Sequence, residues 1–430
     1  MARVVVIGGG FGGLASALRL AKLGHEVAVV EDRTLGGALA PVTADGFAWD
    51  TVGHTLLPAV VRDLFRTTGR PLEKELELVP LDCVREHWFD DGTALVLQVG
   101  RAAQLEAFEA LGVGLGQQWL DHVSAYADDW EVLRRGYLEV PWEPDHLPRE
   151  VAMRLDSRES LHRRLRRSLS DPRARLVAAY PFDVDGHALR DVPAWAGLTA
   201  YLEQRFGTWS AAGGTGVLLE ALVRRLATRG VDVVRARATD VVVRGSRAVA
   251  VSTTEGELAA DVVVCAVDPR RLPTLAPLVA RTTPAIPPAL CRVGLAGEVR
   301  DLPHELVVHG DGLLVVGTGG RAPEGHHAWT LTGRGRVADD PLAALARHGL
   351  DVRGQVVTRL DRSPRELVED WGGTPLGVQW QGRGTVRRRL GPRTPVEGLY
   401  AAGSHATPGS GLPFVGLSAA LVAQVVGPAS

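Results

Sequence analysis

Residues 1–33 read MARVVVIGGGFGGLASALRLAKLGHEVAVVEDR. Arg3 to Ile7 is an apolar, β-branched run of the kind that forms a buried parallel strand. It runs into GGGFGG, which satisfies G-x-G-x-x-G at Gly8, Gly10 and Gly13. Leu14 to Leu23 carries helical periodicity, Gly24 ends the helix, and Val27 to Val30 predicts a second strand closing on Glu31. Gly8 permits the tight turn, Gly10 lets backbone approach a pyrophosphate, and Gly13 allows helix and strand to pack closely. The phosphates then rest on the unpaired N–H groups of the helix N-terminus. Glu31, about twenty residues beyond the glycines, is placed to accept hydrogen bonds from a ribose hydroxyl. Phe11 and Gly12 in the loop, with Asp32 and Arg33 after the acid, complete the expected nucleotide-binding set. The bland alternative is an empty βαβ unit, but strand, turn, helix, strand and acid follow one another in the required order.

Composition bounds the rest. With 430 residues the chain exceeds one ordinary core, so two domains, or one domain with large insertions, are expected. A 45% hydrophobic and 23% charged composition is that of a globular protein. A net charge of −2 gives no reason to expect nucleic acid as a partner. Lysine occurs only at Lys22 and Lys74, which limits the available chemistry. Cys83, Cys265 and Cys291 are odd in number and widely spaced, so neither a metal site nor a disulfide framework is implied, which suits a reducing cytoplasm. No stretch reaches the ~18 apolar residues of a membrane span, so the expectation is a soluble protein, or one attached only to a membrane surface.

Further along, Gly36 and Gly37 place backbone close to a ligand, with Ala38 next, followed by Asp45-Gly46-Phe47-Ala48-Trp49-Asp50 and Gly53-His54. Val60 to Gly69 predicts an amphipathic helix, and Phe89 to Thr93 a hairpin turn into the strand Ala94–Val99. Ala211 to Gly216 precedes a helix over Val217–Arg229. The strand-like runs Val231–Val234, Asp240–Arg244, Ala248–Thr253 and Asp261–Ala266 follow. From Thr282 to Arg389 come short strands broken by turns, with a helix opening at Pro364. The chain closes on GLYAAGSHATPGSGLPFVG, Gly398 to Gly416, and an apolar helix over Leu417–Val426.

On these motifs the chain resembles the flavin-dependent amine oxidase and phytoene desaturase superfamily. The closing motif is similar to the bacterial carotenoid desaturase signature, a strand followed by T-x-P-G-x-G-x-P. The resemblance implies an α/β fold in which a Rossmann-like, GR2-type FAD-binding domain is interleaved with a mixed-sheet and helical substrate domain. The FAD parts would be 1–85, 210–281 and 391–430, and the substrate parts 86–209 and 282–390. It implies non-covalent FAD, with Val241 at the strand position whose backbone meets the adenine. Gly403, Ser404, Pro413, Phe414 and Val415 would lie along the cofactor, on a helix start that favours negative charge. One departure stands out: Ala38 replaces the arginine of the family's Gly-Gly-Arg turn.

Amine oxidases of this superfamily commonly use a lysine near the flavin from later in the chain; no lysine follows Lys74. The favoured expectation is therefore an oxidoreductase that removes hydride from an apolar, isoprenoid-like substrate. His54 and His405 are the candidate base or anion-stabilising groups, and the structural alternative for each is a hydrogen-bonding role. Other readings are a polyene isomerase or saturase, an oxidase of specialised metabolism, and a prenyl-lipid carrier of the same fold. Arg163, Arg164, Arg166 and Arg167 form a solvated helix face or a basic surface that meets an anionic membrane or an acidic partner. Trp119, Trp130, Trp142, Trp195 and Trp209 read as core, and His326 and His327 as a surface turn rather than a metal site.

Overall fold

A computed structural model describes residues 1–51 and 53–429. Its central layer is a five-stranded parallel sheet in the order Leu399–Ala401, Val262–Cys265, Arg3–Ile7, Glu26–Val30, Asp232–Val234. Side chains alternate across a strand, so Val4 and Val6 enter one core, with the helix Phe11–Lys22, while Val5 and Ile7 enter another. That second core lies under the three-stranded antiparallel sheet of Ala238–Arg244, Arg247–Thr253 and Gly256–Ala259. Burial on both faces explains why these parallel strands are apolar throughout.

The second layer is a seven-stranded mixed sheet: Val356–Arg362, Ala289–Ala296, His326–Gly335, Gly312–Gly317, Glu305–Gly310, Cys83–Trp88, Ala94–Gln98. Its one parallel pairing joins Glu305–Gly310 to Cys83–Trp88, and so ties an early hairpin to strands more than two hundred residues later. The expected mixed sheet is present. Helices between Arg101 and Phe206 pack over it around a core that takes in Trp119, Trp130, Trp142 and Trp195. Trp209 is only half-buried.

Several expectations are corrected. The first helix begins at Phe11 rather than Leu14, and the last covers Leu412–Val426 rather than starting at Leu417. Proline fits the first helical turn, where N–H groups lack intrahelical partners anyway, and Gly12 and Gly13 stand in theirs because a Cβ would collide with Gly403 and Gly8. His326 and His327 open a strand instead of sitting in a turn, and His326 packs edge-on against Phe47. Of the clustered arginines, Arg164 and Arg167 are spent on Glu159, and Arg164 also on Asp129. No helix among the described residues is long and apolar enough to cross a membrane.

Candidate functional site

The glycine loop does what its spacing demands. Gly8 has φ +103°, open to glycine but strained for other residues. A Cβ on Gly13 would stand 1.9 Å from the Gly8 carbonyl oxygen, so helix and strand meet at a distance only glycine permits. A Cβ on Gly12 would lie 2.8 Å from Gly403 Cα, which brings the first and last motifs into contact. Gly10 differs: a Cβ there meets no atom within 4 Å, because it would project into a cavity of about 600 Å³.

That cavity is lined by Gly8, Gly10, Phe11, Gly12, Glu31, Gly36, Gly37 and Ala38 from the N-terminal motif. Gly403, Ser404, Pro413, Phe414 and Val415 line it from the C-terminal one. Two helices start on its wall. The first intrahelical bond of one is Leu14 N–H to Gly10 O at 2.9 Å, and of the other Val415 N–H to Gly411 O at 2.9 Å. The N–H groups ahead of these have no partner inside their helices, and the positive ends of both helix dipoles meet at one place. Glu31 accepts the Gly9 N–H at 2.8 Å and the Arg33 N–H at 3.0 Å, which fixes its carboxylate at the cavity edge.

Not every expected residue reaches this wall. Gly13 acts through packing, and Asp32 and Arg33 lie outside the lining. Val241 also lies outside the lining: it is buried in the core beneath the three-stranded sheet, where its N–H donates to the Asp240 carboxylate and its carbonyl accepts the Thr274 hydroxyl.

Both candidate histidines line the cavity, and burial lowers the pKa of each. His405 donates from Nε2 to the Thr374 carbonyl at 3.1 Å. Its bare Nδ1 stands 3.8 Å from Asp268 Oδ1 and has no hydrogen-bond partner. His54 Nδ1 is 3.9 Å from Glu305 Oε2, too far for a hydrogen bond.

Sequence reasoning missed the polar group beside His54. Arg85, only 2% exposed, donates to both oxygens of Glu203 and, from Nε, to Glu305 Oε1 at 3.0 Å. Its guanidinium lies 4.7 Å from the Tyr180 ring centroid. All four residues line the cavity. Burial pushes the Glu305 carboxyl up, but Arg85, aided by His54 and Tyr180, outweighs it, so the group is held below the ordinary carboxylate range. Arg85 and Glu203 are 118 positions apart, and no local pattern marks them as partners.

Two glycine-rich loops feeding two helix starts into one cavity define a Rossmann-type protein that binds a dinucleotide cofactor. The donor set fits FAD: open glycine backbone for a pyrophosphate, a fixed acid for the ribose, and a second helix start for the flavin end. The family model for flavin containing amine oxidoreductases matches residues 11–300, more than half of the chain, and the protein belongs to that family, whose cofactor is FAD. Among curated relatives, a 4,4'-diapolycopene oxygenase of Methylomonas sp is 29% identical over 279 residues, 61% of this chain and 55% of that one. A zeta-carotene-forming phytoene desaturase of Myxococcus xanthus is 27% identical over 499 aligned positions, 98% of this chain and 93% of that one. The chain spans about half the length of the first curated relatives it matches, and nearly all of the Myxococcus enzyme. Among solved structures, a cofactor-site variant of putrescine oxidase aligns with TM-score 0.72 at 17% identity, covering 99% of this chain and 98% of that one. A Rab GDI from Plasmodium falciparum aligns with TM-score 0.52 at 12% identity, covering 84% and 88%. Those two likenesses show the fold alone.

Proposed function

We propose that the protein is an FAD-dependent oxidoreductase of the carotenoid desaturase type, withdrawing hydride from a C–H bond of an apolar, isoprenoid-like substrate. The observation that carries this reading is the wall beyond the glycine loops. There Leu56, Leu138, Leu198, Leu290, Val315 and Trp195 face the same cavity, and neither lysine of the chain lines it. Apolar walls exclude water and hold a hydrocarbon chain by area burial, at about 25 cal/mol per Å². When bound, FAD supplies the two-electron acceptor, so the protein's part is orientation, desolvation and electrostatics. The helix start at Leu412 would favour negative charge at the cofactor. Neutral His54 and His405 keep lone pairs that accept a proton without adding a fixed charge.

The carrier reading loses support because both phosphate loops retain their glycines and helix starts. The test is spectroscopic. Purified protein should show flavin bands, released as free FAD on heat denaturation. Anaerobic addition of a long polyene should bleach them, while addition of a diamine should not. Bleaching by the diamine alone would refute the desaturase reading, and a colourless protein that takes up no FAD would refute every flavoenzyme reading and favour the carrier.

A further inference from the structure

Five arginines are buried among the described residues: Arg19, Arg85, Arg225, Arg292 and Arg389. Three have a carboxylate in salt-bridge contact: Arg19 has Asp63, Arg85 has Glu203 and Glu305, and Arg225 has Glu75. Of the two without one, Arg292 lies outside the cavity wall and Arg389 forms part of it. An arginine stays charged even when buried, and a buried cation without a counter-charge costs several kcal/mol.

Everything around Arg389 solvates its charge without neutralising it. Its Nη1 donates to Pro408 O at 2.8 Å and its Nη2 to Val378 O at 3.5 Å. The guanidinium carbon sits 4.6 Å from the Trp380 ring centroid, and Tyr137 supplies a neutral hydroxyl. Its Nε–H has no partner, although Arg389 is only 6% exposed. The start of the last helix, on the same wall, adds positive potential. The acids of the wall are engaged elsewhere. Glu203 and Glu305 hold Arg85, Asp268 holds Arg270, Glu31 holds two backbone N–H groups, and the cation acting on Asp185 is Arg334.

We infer that Arg389 is an anion receptor whose counter-charge is brought by a ligand, a planar carboxylate-like anion paired with the fork of the guanidinium. The anion has two possible sources: an acidic end group on an otherwise apolar substrate, or the ring of the reduced cofactor. The first would make the substrate an isoprenoid-like acid rather than a pure hydrocarbon. The inference rests on the FAD reading above, and the flavin spectrum of each protein tests that reading separately.

The test uses the FAD-loaded protein, Arg389→Gln and Arg389→Lys. Calorimetric titration with octanoate, octanol, octylamine and octane holds the tail constant and varies the head. A substrate source predicts octanoate binding at least tenfold tighter than octanol. That preference would be lost in Arg389→Gln and partly kept in Arg389→Lys. A cofactor source predicts no preference for octanoate. Instead, the flavin midpoint potential would fall in Arg389→Gln and recover in Arg389→Lys, each tenfold change in the two-electron equilibrium reading as about 30 mV. Should Arg389→Gln not fold, Arg389→Met, which also removes the charge and keeps an apolar stem beside Trp380, carries the same two readouts: loss of the octanoate preference or a fall in the flavin potential. FAD-loaded protein that prefers octanol or octylamine, with a potential indifferent to position 389, overturns the inference.

Discussion

Gly10→Ala and Gly13→Ala change the same loop by one methyl group, three residues apart, and the structure predicts opposite outcomes. Gly10 has φ −72° and ψ 175°, a conformation alanine adopts without strain, and its Cβ would touch no protein atom. Loss of glycine entropy in the unfolded chain should then leave the FAD-free protein as stable as before, or more stable by about 0.4–1 kcal/mol. The same methyl occupies the place where pyrophosphate backbone contact is expected, so FAD affinity should fall at least tenfold. With FAD at about 100 times its Kd the unaltered protein gains about 2.7 kcal/mol, and each tenfold loss of affinity removes about 1.4 kcal/mol of it. At Gly13 the methyl would press on the Gly8 carbonyl oxygen at 1.9 Å. Helix and strand must separate, at about 1–3 kcal/mol of overpacking cost, with or without FAD. Thermal melting with and without FAD, together with flavin fluorescence titration, measures both effects. Normal FAD affinity in Gly10→Ala combined with a lower melting temperature would refute the assignment of Gly10 to the ligand side of the loop.

Glu31→Ala leaves the Gly9 and Arg33 N–H groups without their acceptor, so FAD affinity and melting temperature should both fall, and Glu31→Gln, which keeps one acceptor, should fall less by the same titration. Arg85→Met strands Glu203 and Glu305 in the wall and should cost about 3–5 kcal/mol in denaturant unfolding; adding Glu203→Gln and Glu305→Gln should recover much of that loss. Burial lowers His122 from 6.5 to about 4, with Ser168 Oγ 2.7 Å from Nδ1. Between those values the unfolded chain binds the proton and the folded one does not. Stability is therefore full above pH 6.5 and lost as pH falls toward 4. Urea unfolding of His122→Gln across that range should show a shallower acid decline.

Legibility followed the range of the interaction. The strand Arg3–Ile7, the turn at Gly8 and the close packing at Gly13 are readable because each depends on backbone conformation within a few residues. The helix starts at Phe11 and Leu412 lie three and five residues ahead of where the periodicity begins: glycine and proline signal a loop, although proline fits a first helical turn and Gly12 and Gly13 are held there by close contacts that admit no Cβ. The contact of the Val241 carbonyl with the Thr274 hydroxyl spans 33 residues, and no local pattern marks it.

By itself, the sequence determined the dinucleotide-type glycine turn, the parallel sheet that carries it and the mixed sheet beside it, since hydrophobic period and glycine spacing act locally; FAD followed from the family resemblance of the two end motifs. Only the tertiary structure decided the chemistry of the cavity wall. Strand pairing between Glu305–Gly310 and Cys83–Trp88 places Arg85 beside Glu305, and the chain's return at Pro408 leaves Arg389 buried without a carboxylate. Charges separated by hundreds of residues acquire their energies from burial and from neighbours, and both are properties of the folded chain.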